Sequence, residues 1–418
     1  MHDFKYKRGE LYCENVPVRK VAEKFGTPLF LYSRKTLVEH YRKLRDALSP
    51  VDPLICFSVK SNSNLAILRA LVKEGAGLDI VSGGELYRAL KAGVNPKKIV
   101  YAGVGKTEKE IEEALRAGIL FFNVESLPEL RMIDFVARRL KKLADVCIRV
   151  NPDVDPHTHH FITTAKKENK FGLDLITARE IFFKHRLFPN ARISGVHIHI
   201  GSQIIQEKPF VEALTKISKF IIELEENNVP VRYLNIGGGL GIIYKKEKPQ
   251  TAADYAKAVV PILKKTGLKI ILEPGRFIVG NAGILVAKVT YIKKTRTKNF
   301  VIVDAGMNDL IRPCLYDAYH EVLPLRQKKS AKIKADVVGP ICESADFLAK
   351  DRQIQEPAQK DLLAVMSAGA YGFSMSSNYN SRPRAAEVLV DKNKYHLIRR
   401  RQTYKDLIDG EMIPRFLH

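Results

Sequence analysis

The sequence contains no tryptophan and only five cysteines: Cys13, Cys56, Cys147, Cys314 and Cys342. An odd number of cysteines at such wide spacing indicates neither a disulfide framework nor a CxxC metal site. No apolar run approaches the roughly 20 residues that a membrane-spanning helix needs. Residues 1–7 also lack the apolar core of a signal peptide. These absences predict a soluble protein of the reducing cytoplasm.

The charge balance is strongly basic, because 69 Lys and Arg residues face 46 Asp and Glu residues and give a formal net charge of +23. The basic residues are scattered, and the densest runs, 138–142 and 399–401, fall on expected helix or strand faces, as is typical of a solvated surface. No zinc-finger spacing or aromatic-studded basic segment accompanies them. We therefore expect neither nucleic-acid binding nor membrane binding.

Short apolar segments alternate with amphipathic helical stretches between residues 50 and about 275. Strands that are buried on both faces read as continuous apolar runs, as these segments do. Eight such units predict a parallel (β/α)8 barrel rather than an open sheet. The expected strands are 54–59, 77–81, 99–102, 120–124, 145–150, 193–200, 233–236 and 269–272.

The pattern changes after residue 283 to strands that are separated by turns, which predicts a mostly β domain. The N-terminal segment is expected to join it, since chain termini often meet. The predicted fold class is therefore α/β, a TIM-like barrel over residues 30–280 with a second domain from residues 1–29 and 281–418. The expected strands of that domain are 284–292, 300–303, 334–338, 362–366, 387–390 and 395–398.

Polar motifs follow four of the expected barrel strands. Lys60 follows the first strand, and His199 lies near the end of the sixth. A glycine run, 237–241, follows the seventh strand, and Glu273-Pro274-Gly275-Arg276 follows the eighth. The carboxyl ends of the strands of a parallel barrel converge on one face, where such barrels keep their active sites. An amine, an imidazole, a glycine loop and a carboxylate are thus expected together.

The chemistry of these groups favours pyridoxal 5′-phosphate (PLP). Partial burial lowers the pKa of a lysine, which would make the amine of Lys60 a nucleophile toward an aldehyde. Glycine loops after the seventh strand of a barrel commonly present N–H groups to a phosphate. A carboxylate at Glu273 would keep a pyridine nitrogen protonated and stabilise a Cα carbanion, which suits decarboxylation better than racemisation. Arg276 adds a cation suited to phosphate or carboxylate.

Two features allow a second interpretation. His197 and His199 alternate along a strand, an arrangement that is also typical of half a zinc site, which His157, His159 and His160 would complete. No cysteine or carboxylate completes a ligand set, so no metal is expected, and stacking of His199 on a cofactor ring is favoured. Asp79 either orients a neighbour such as His199 or Lys60, or is a satisfied structural carboxylate.

The second domain carries further polar residues in loops. Cys342 stands beside Glu343 in a Pro-containing loop, where a thiol is placed to act as a proton donor. Arg312, Tyr316 and Tyr371 belong to the same domain, and none of them is diagnostic alone.

Together these motifs closely resemble the fold-type III PLP-dependent decarboxylases, over nearly the whole chain. The resemblance rests on four segments: Phe57-Ser58-Val59-Lys60, His197-Ile198-His199-Ile200-Gly201-Ser202, Glu273-Pro274-Gly275-Arg276 and Cys342-Glu343-Ser344. One departure is that serines stand at positions 58 and 61, where relatives usually have alanine.

The resemblance implies a catalytic set of Lys60 as the Schiff-base lysine, His199 stacked on the ring, Glu273 at the pyridine nitrogen and Cys342 as the proton donor to the carbanion. It also implies a homodimer with active sites at the interface, where the other subunit supplies Cys342 and Glu343. The remaining cofactor contacts implied are Asp79, Ser202, Gly237, Gly238, Gly239, Gly275, Arg276 and Tyr371. The implied substrate contacts are Arg276, Arg312, Tyr316, Glu343 and Tyr371.

The Cys342-Glu343 pair distinguishes among the relatives, since ornithine decarboxylases carry Cys-Asp there and bind a terminal amine. Arg312 and Glu343 suit a distal carbon that bears both carboxylate and ammonium, as in meso-2,6-diaminopimelate. The expected reaction is decarboxylation of meso-2,6-diaminopimelate to L-lysine and CO₂, the last step of lysine biosynthesis. The alternative is a decarboxylase of ornithine, arginine or carboxynorspermidine. A silent binding protein is disfavoured because Lys60, Glu273 and Cys342 are all present.

Overall fold

The computed structural model describes residues 2–154 and 170–417. The strands are β1 (Phe4–Lys7), β2 (Glu10–Cys13), β3 (Val16–Pro17), β4 (Leu29–Ser33), β5 (Leu54–Ser58), β6 (Gly77–Ile80), β7 (Ile99–Tyr101), β8 (Phe121–Val124), β9 (Ala144–Arg149), β10 (Ala191–His197), β11 (Tyr233–Asn235), β12 (Lys269–Leu272), β13 (Gly283–Lys294), β14 (Asn299–Val303), β15 (Val322–Pro324), β16 (Lys332–Val338), β17 (Phe347–Gln355), β18 (Leu362–Val365), β19 (Ala386–Asp391) and β20 (Lys394–Arg399).

The helices are α1 (Val18–Phe25), α2 (Arg34–Ala47), α3 (Leu65–Lys73), α4 (Gly83–Lys91), α5 (Glu108–Ala117), α6 (Leu127–Arg139), α7 (Leu175–Phe183), α8 (Lys208–Glu226), α9 (Ala252–Lys265), α10 (Arg276–Val279), α11 (Arg312–Tyr316) and α12 (Tyr404–Leu407). Short 3₁₀ turns occupy Ser49–Val51, Val59–Ser61, Pro96–Lys98, His185–Leu187, Gly280–Ala282, Phe373–Met375, Tyr379–Ser381 and Arg415–Leu417. Within the described ranges, no helix is both long enough and apolar enough to cross a membrane.

Strands β5 to β12 form a closed barrel in which each strand pairs in parallel with its neighbours. Pairing of β12 with β5, through Ile271 and Leu54, closes the ring. The predicted (β/α)8 barrel is therefore confirmed. The sixth strand, β10, ends at His197 rather than at residue 200, because its neighbours β9 and β11 end at Arg149 and Asn235 and leave no partner strand beyond that point.

The barrel interior packs small residues against large ones. Cys56, Val100, Phe121, Cys147 and Ile271, from five different strands, form one buried cluster. A Cβ atom added at position 77 or 195 would lie 2.8 Å from the Sγ atom of Cys56 or Cys147, respectively, so glycine is required beside each thiol. Burial raises the pKa of both thiols well above the ordinary value, and they serve as core packing.

The loops that follow the barrel strands end at side-chain caps. Asn64, Ser82, Thr107 and Ser126 each accept a hydrogen bond from a first-turn N–H of α3, α4, α5 and α6, respectively. Such caps satisfy backbone donors that have no partner inside the helix. Local sequence therefore fixes where four of the connecting helices begin.

Residues 1–36 and 280–418 form the other compact unit. Its main sheet has the order β17-β16-β14-β13-β4-β19-β20, and β18, which pairs with β13, also pairs with β15. The N-terminal strand β4 pairs antiparallel with β13 and parallel with β19. The predicted mostly β domain, joined by the N-terminal segment, is thus confirmed. Because β4 lies within this sheet, the unit extends to Thr36, whereas the pattern placed the boundary after residue 29.

Strand β17 is a strand that the apolar pattern does not predict. Its sequence places Lys350, Asp351 and Arg352 in succession, which interrupts any apolar run. The strand lies at one end of the sheet order and, among the strands that the structure describes, pairs with β16 alone. Edge strands commonly carry charged residues, so the interruption fits the position.

Candidate active site

Lys60 lies on the 3₁₀ turn directly after β5, the first barrel strand. Its Nζ donates a hydrogen bond of 3.0 Å to Oδ2 of Asp79 on β6, and the Ser58 hydroxyl donates 2.7 Å to the same oxygen. The Lys60 side chain is 39% exposed, whereas that of Asp79 is fully buried. Burial and the nearby Glu273 raise the pKa of Asp79, against the opposing effect of Lys60 and Ser58. Asp79 therefore holds the amine through a direct contact.

Glu273 follows β12, and its side chain is only 4% exposed. Its Oε1 accepts hydrogen bonds from Nδ2 of Asn123 (2.8 Å) and of Asn235 (2.5 Å), while Nε2 of His197 lies 3.3 Å from Oε2. Burial disfavours the charged form, yet His197, Lys60 and Asn235 outweigh it and hold the pKa of Glu273 well below its usual range. A buried, ionised carboxylate therefore stands in the barrel beside the amine-bearing strand.

His199 lies two residues beyond the end of β10, and its Nδ1 accepts a hydrogen bond of 3.2 Å from the Gly238 N–H. Burial, followed by the positive charges of Arg149 and Lys60, lowers the pKa of His199 well below the ordinary value. The ring is therefore neutral near pH 7, with its lone pair at Nδ1 directed to the glycine loop.

The glycine loop packs too closely against its neighbours for any larger residue. A Cβ at Gly238 would lie 2.3 Å from the carbonyl oxygen of Glu273, and one at Gly239 would lie 2.7 Å from that of Gly201. Gly237 has a φ of +66°, and its N–H donates to Oδ1 of Asn235. The loop is thus anchored both to the strand before it and to the segment that carries Glu273.

Arg276, the first residue of α10, is buried and joins two side chains of the same face. Its Nη1 donates to the Tyr244 hydroxyl (2.6 Å) and its Nη2 to the Ser202 hydroxyl (3.1 Å). Gly275, just before it, approaches the Lys60 turn so closely that an added Cβ would lie 3.0 Å from Ser61 Cβ. The structure therefore brings Ser202, Arg276 and Gly275 to the barrel end that carries Lys60.

The other predicted site residues belong to the β unit. Arg312 is buried at the start of α11, where its Nη1 lies 2.9 Å from Nε2 of His320. Nδ1 of His320 lies 2.8 Å from the carbonyl oxygen of Met366, so Nδ1 carries the proton and Nε2 accepts from Arg312. Tyr316 ends the same short helix and is half-buried.

Cys342 and Glu343 are exposed in a loop that Asp346 anchors. The Asp346 carboxylate accepts from the N–H groups of Met307 and Ile341 (both 2.6 Å). The Cys342 N–H donates to Oδ1 of Asn380 (2.7 Å). Tyr371, half-buried, has a φ of +57° in the left-handed region. A thiol and a carboxylate thus project from a loop with a fixed base.

No group of three or more His, Cys, Asp or Glu side chains within residues 2–154 and 170–417 is placed to hold a metal ion. His157, His159 and His160, which would complete a zinc site, lie outside the described residues.

Sequence reasoning missed several residues of these sites: Asn123, Asn235, Tyr244, His320 and the contact of His197 with Glu273. Asn123 and Asn235 carry a usable signal, because each places an amide inside an otherwise apolar barrel strand. A buried amide requires partners, so its presence on such a strand points to a polar cluster within the barrel. Tyr244 and His320 lie in loops and carry no comparable signal.

Residues 34–280 match the family model described as "Pyridoxal-dependent decarboxylase, pyridoxal binding domain". The chain belongs to this family of pyridoxal-dependent decarboxylases, which confirms the resemblance of its motifs. Within the family it is similar over nearly its whole length to proteins named diaminopimelate decarboxylase. That of Aquifex aeolicus is 50% identical over 408 residues, covering 97% of each chain, and that of Pseudomonas aeruginosa is 48% identical over 413 residues, covering 99% of each. The solved diaminopimelate decarboxylase of M. jannaschii in complex with L-lysine has a TM-score of 0.95 at 39% identity, covering 100% of both chains.

Proposed function

We propose that this chain is a PLP-dependent carboxy-lyase that converts meso-2,6-diaminopimelate to L-lysine and CO₂ in lysine biosynthesis. The observation that carries the proposal is that one barrel holds both the Lys60 amine, which donates to Asp79, and a second buried carboxylate, Glu273, whose pKa is held well below its usual range. PLP needs an amine that can react with its aldehyde and an anion that can pair with its pyridinium nitrogen. The proposed substrate is inferred from the similarity of the chain to diaminopimelate decarboxylases.

The residues of the barrel fit PLP. Lys60 would hold the cofactor covalently through Nζ, with Asp79 keeping that amine in place. The neutral ring of His199 would stack against the cofactor ring, and Glu273 would keep the pyridine nitrogen protonated. The phosphate would be held by Ser202, Gly238, Gly239, Arg276 and Tyr371, with Gly275 allowing the close approach of Arg276. When bound, PLP supplies an electron sink for the charge that departing CO₂ leaves on Cα.

The substrate contacts follow from charge. Arg312, whose guanidinium His320 orients, would bind the distal carboxylate, and Glu343 would bind the distal ammonium. Arg276, Tyr316 and Tyr371 would complete the substrate site. The Cys342 thiol would hold the proton that is returned to Cα after CO₂ leaves.

We further propose a homodimer in which the partner subunit supplies Cys342 and Glu343. Both side chains are exposed on their own chain, which supports their use by a second subunit. All five cysteines are free thiols, which supports a location in the reducing cytoplasm.

The test of the function is CO₂ release from meso-diaminopimelate by the purified protein, with and without added PLP, alongside ornithine, arginine and carboxynorspermidine. We expect PLP-dependent CO₂ from diaminopimelate and a yellow, borohydride-sensitive protein. Release from ornithine alone would overturn the substrate, and a colourless protein without activity in added PLP would overturn the reaction.

A further inference from the structure

The Glu273 carboxylate is bonded unequally at its two oxygens. Oε1 accepts from the amides of both Asn123 and Asn235, which come from β8 and β11. Oε2 lies beside His197 Nε2, at 3.3 Å. Two of the three neighbouring groups therefore engage the same oxygen.

The orientation of the Asn235 amide is fixed by the main chain. Its Oδ1 accepts the Gly237 N–H at 3.0 Å, so its Nδ2 must be the group that faces Glu273. The backbone of Asn123 is held in turn, because its carbonyl oxygen accepts from the buried ammonium of Lys106 (2.8 Å). Both amides are fully buried, so no water competes for the carboxylate.

Neutral donors suit a carboxylate that has a further partner to bind. An arginine or lysine in place of either amide would pair with Glu273 and offset its charge. An aspartate would place a like charge against it and favour its protonated form. Amides stabilise the anion by hydrogen bonding and leave its charge available.

We propose that Asn123 and Asn235 are positioning residues for the reaction: together they commit Oε1 of Glu273, so that Oε2, which has His197 beside it, is the oxygen that faces the pyridine nitrogen of the cofactor. The inference rests on the proposed function and deepens it. Asn235 has a second consequence, because it ties this carboxylate to the glycine loop assigned to the phosphate. One amide thus sets the spacing between the two ends of the cofactor site.

The sharpest variants are Asn235→Asp and Asn123→Asp. At position 235 aspartate keeps the shape and the oxygen that accepts the Gly237 N–H. It replaces the Nδ2 donor to Glu273, which also lies 3.4 Å from Oδ1 of Asn123, by an oxygen that brings a like charge toward Glu273. Asn95→Asp is the matched control, since Asn95 caps a 3₁₀ turn and aspartate caps equally well. Each holoenzyme would be loaded with PLP labelled with ¹⁵N in the ring, and the ¹⁵N shift of the pyridine nitrogen recorded alongside kcat and KM.

We expect the wild type and Asn95→Asp to show a protonated nitrogen and both site variants to shift toward the neutral form. Their kcat should fall about 10-fold to 100-fold, less than the roughly 10²–10³ that follows loss of a donor to the transition state itself, with KM little changed. An unchanged nitrogen shift and kcat in both variants would overturn the inference. So would a fall in kcat without any nitrogen shift, since a merely structural defect has that result.

Two variants from different strands keep the test valid if one of them fails to fold. Asn235→Ser offers a third, since it keeps a small polar side chain but cannot span to Oε1, and it should show the same nitrogen shift. The nitrogen shift is also independent of the substrate. If the wild-type protein binds PLP but does not decarboxylate diaminopimelate, the proposed substrate is wrong. The nitrogen shifts of the variants would still show whether the two amides have the proposed role.

Discussion

The Lys60 ammonium donates a hydrogen bond of 3.0 Å to Asp79, a carboxylate with no solvent exposure on the neighbouring strand. The hydroxyl oxygen of Ser58 lies 2.7 Å from Oδ2 of Asp79, to which it donates, and 2.9 Å from the carbonyl oxygen of Glu273. The first two barrel strands and the segment after the last strand thus meet at one point. The serine at position 58 therefore has a definite structural role there.

Replacement of Lys60 by alanine should abolish turnover and the borohydride-sensitive yellow band, because no other amine is assigned to hold the cofactor aldehyde. Visible absorbance and CO₂ release from the purified variant would check this. Lys43→Ala, on the exposed face of α2, is the control and should behave as the wild type. A yellow, borohydride-sensitive Lys60→Ala protein with normal turnover would contradict the assignment.

Cys342→Ala should lower kcat by about 10²–10⁴, the usual contribution of a positioned general acid. Alanine would keep the hydrogen bond from the main-chain N–H of residue 342 to Oδ1 of Asn380, which holds this part of the loop. Cys314→Ala, which removes a half-buried thiol of the same unit, should leave kcat within about twofold. Equal rates in the Cys342→Ala variant and the wild type would show that another group donates the proton.

Mixing two inactive variants tests the shared site directly. If Lys60 and Cys342 of one site come from different subunits, heterodimers of Lys60→Ala and Cys342→Ala contain one intact site. Random exchange makes half of the dimers heterodimers, so the mixture should recover about a quarter of wild-type activity. A mixture that exchanges subunits yet stays inactive would show that both residues of a site come from the same chain.

His320→Leu should weaken substrate binding, because Arg312 would lose the acceptor at its Nη1. A hydrogen bond to a charged group contributes about 1.5–3 kcal/mol, so KM for diaminopimelate should rise at least about tenfold while kcat changes less. Arg312 and His320 are both buried, which makes the lost partner hard to replace by water. His396→Leu, on the exposed strand β20, is the matched control. An unaltered KM would show that His320 does not contribute to substrate binding.

Glu85 should make stability depend on pH. Burial, its largest influence, raises the pKa of Glu85 to about 7, against the opposing effects of Lys60 and the Val81 N–H. The folded chain thus retains a proton that the unfolded chain releases near pH 4.3. The free energy of unfolding should therefore fall as pH rises from about 4.5 to 7 and then level off. Glu85→Gln should reduce this slope without abolishing it, because burial also raises the pKa of Asp309 to about 7. Glu226→Gln, at an exposed site, should retain the full slope in denaturant titrations at several pH values.

The barrel was predictable because each of its strands is a buried apolar run, and the motifs were predictable because each follows such a run. The residues that hold these motifs in place were not predictable. Asn123 and Asn235 lie 150 and 38 residues before Glu273, and only the closed ring brings the three together. Likewise, a histidine eight residues after Arg312 gives no local sign that it will orient a guanidinium. Strand β17 was not predicted because its successive charged residues interrupt the apolar pattern by which the other strands were recognised.

The left-handed backbone of Tyr371 has a further consequence. A non-glycine residue at a φ of +57° costs roughly 1–2 kcal/mol relative to its preferred conformation, although glycines stand close by at positions 369 and 372. Glycine at position 371 would relieve that cost but would lose the phenol assigned to phosphate and substrate. On the proposed role of that phenol, the chain would retain a conformation that lowers the stability of its folded state because recognition of the ligand requires the side chain.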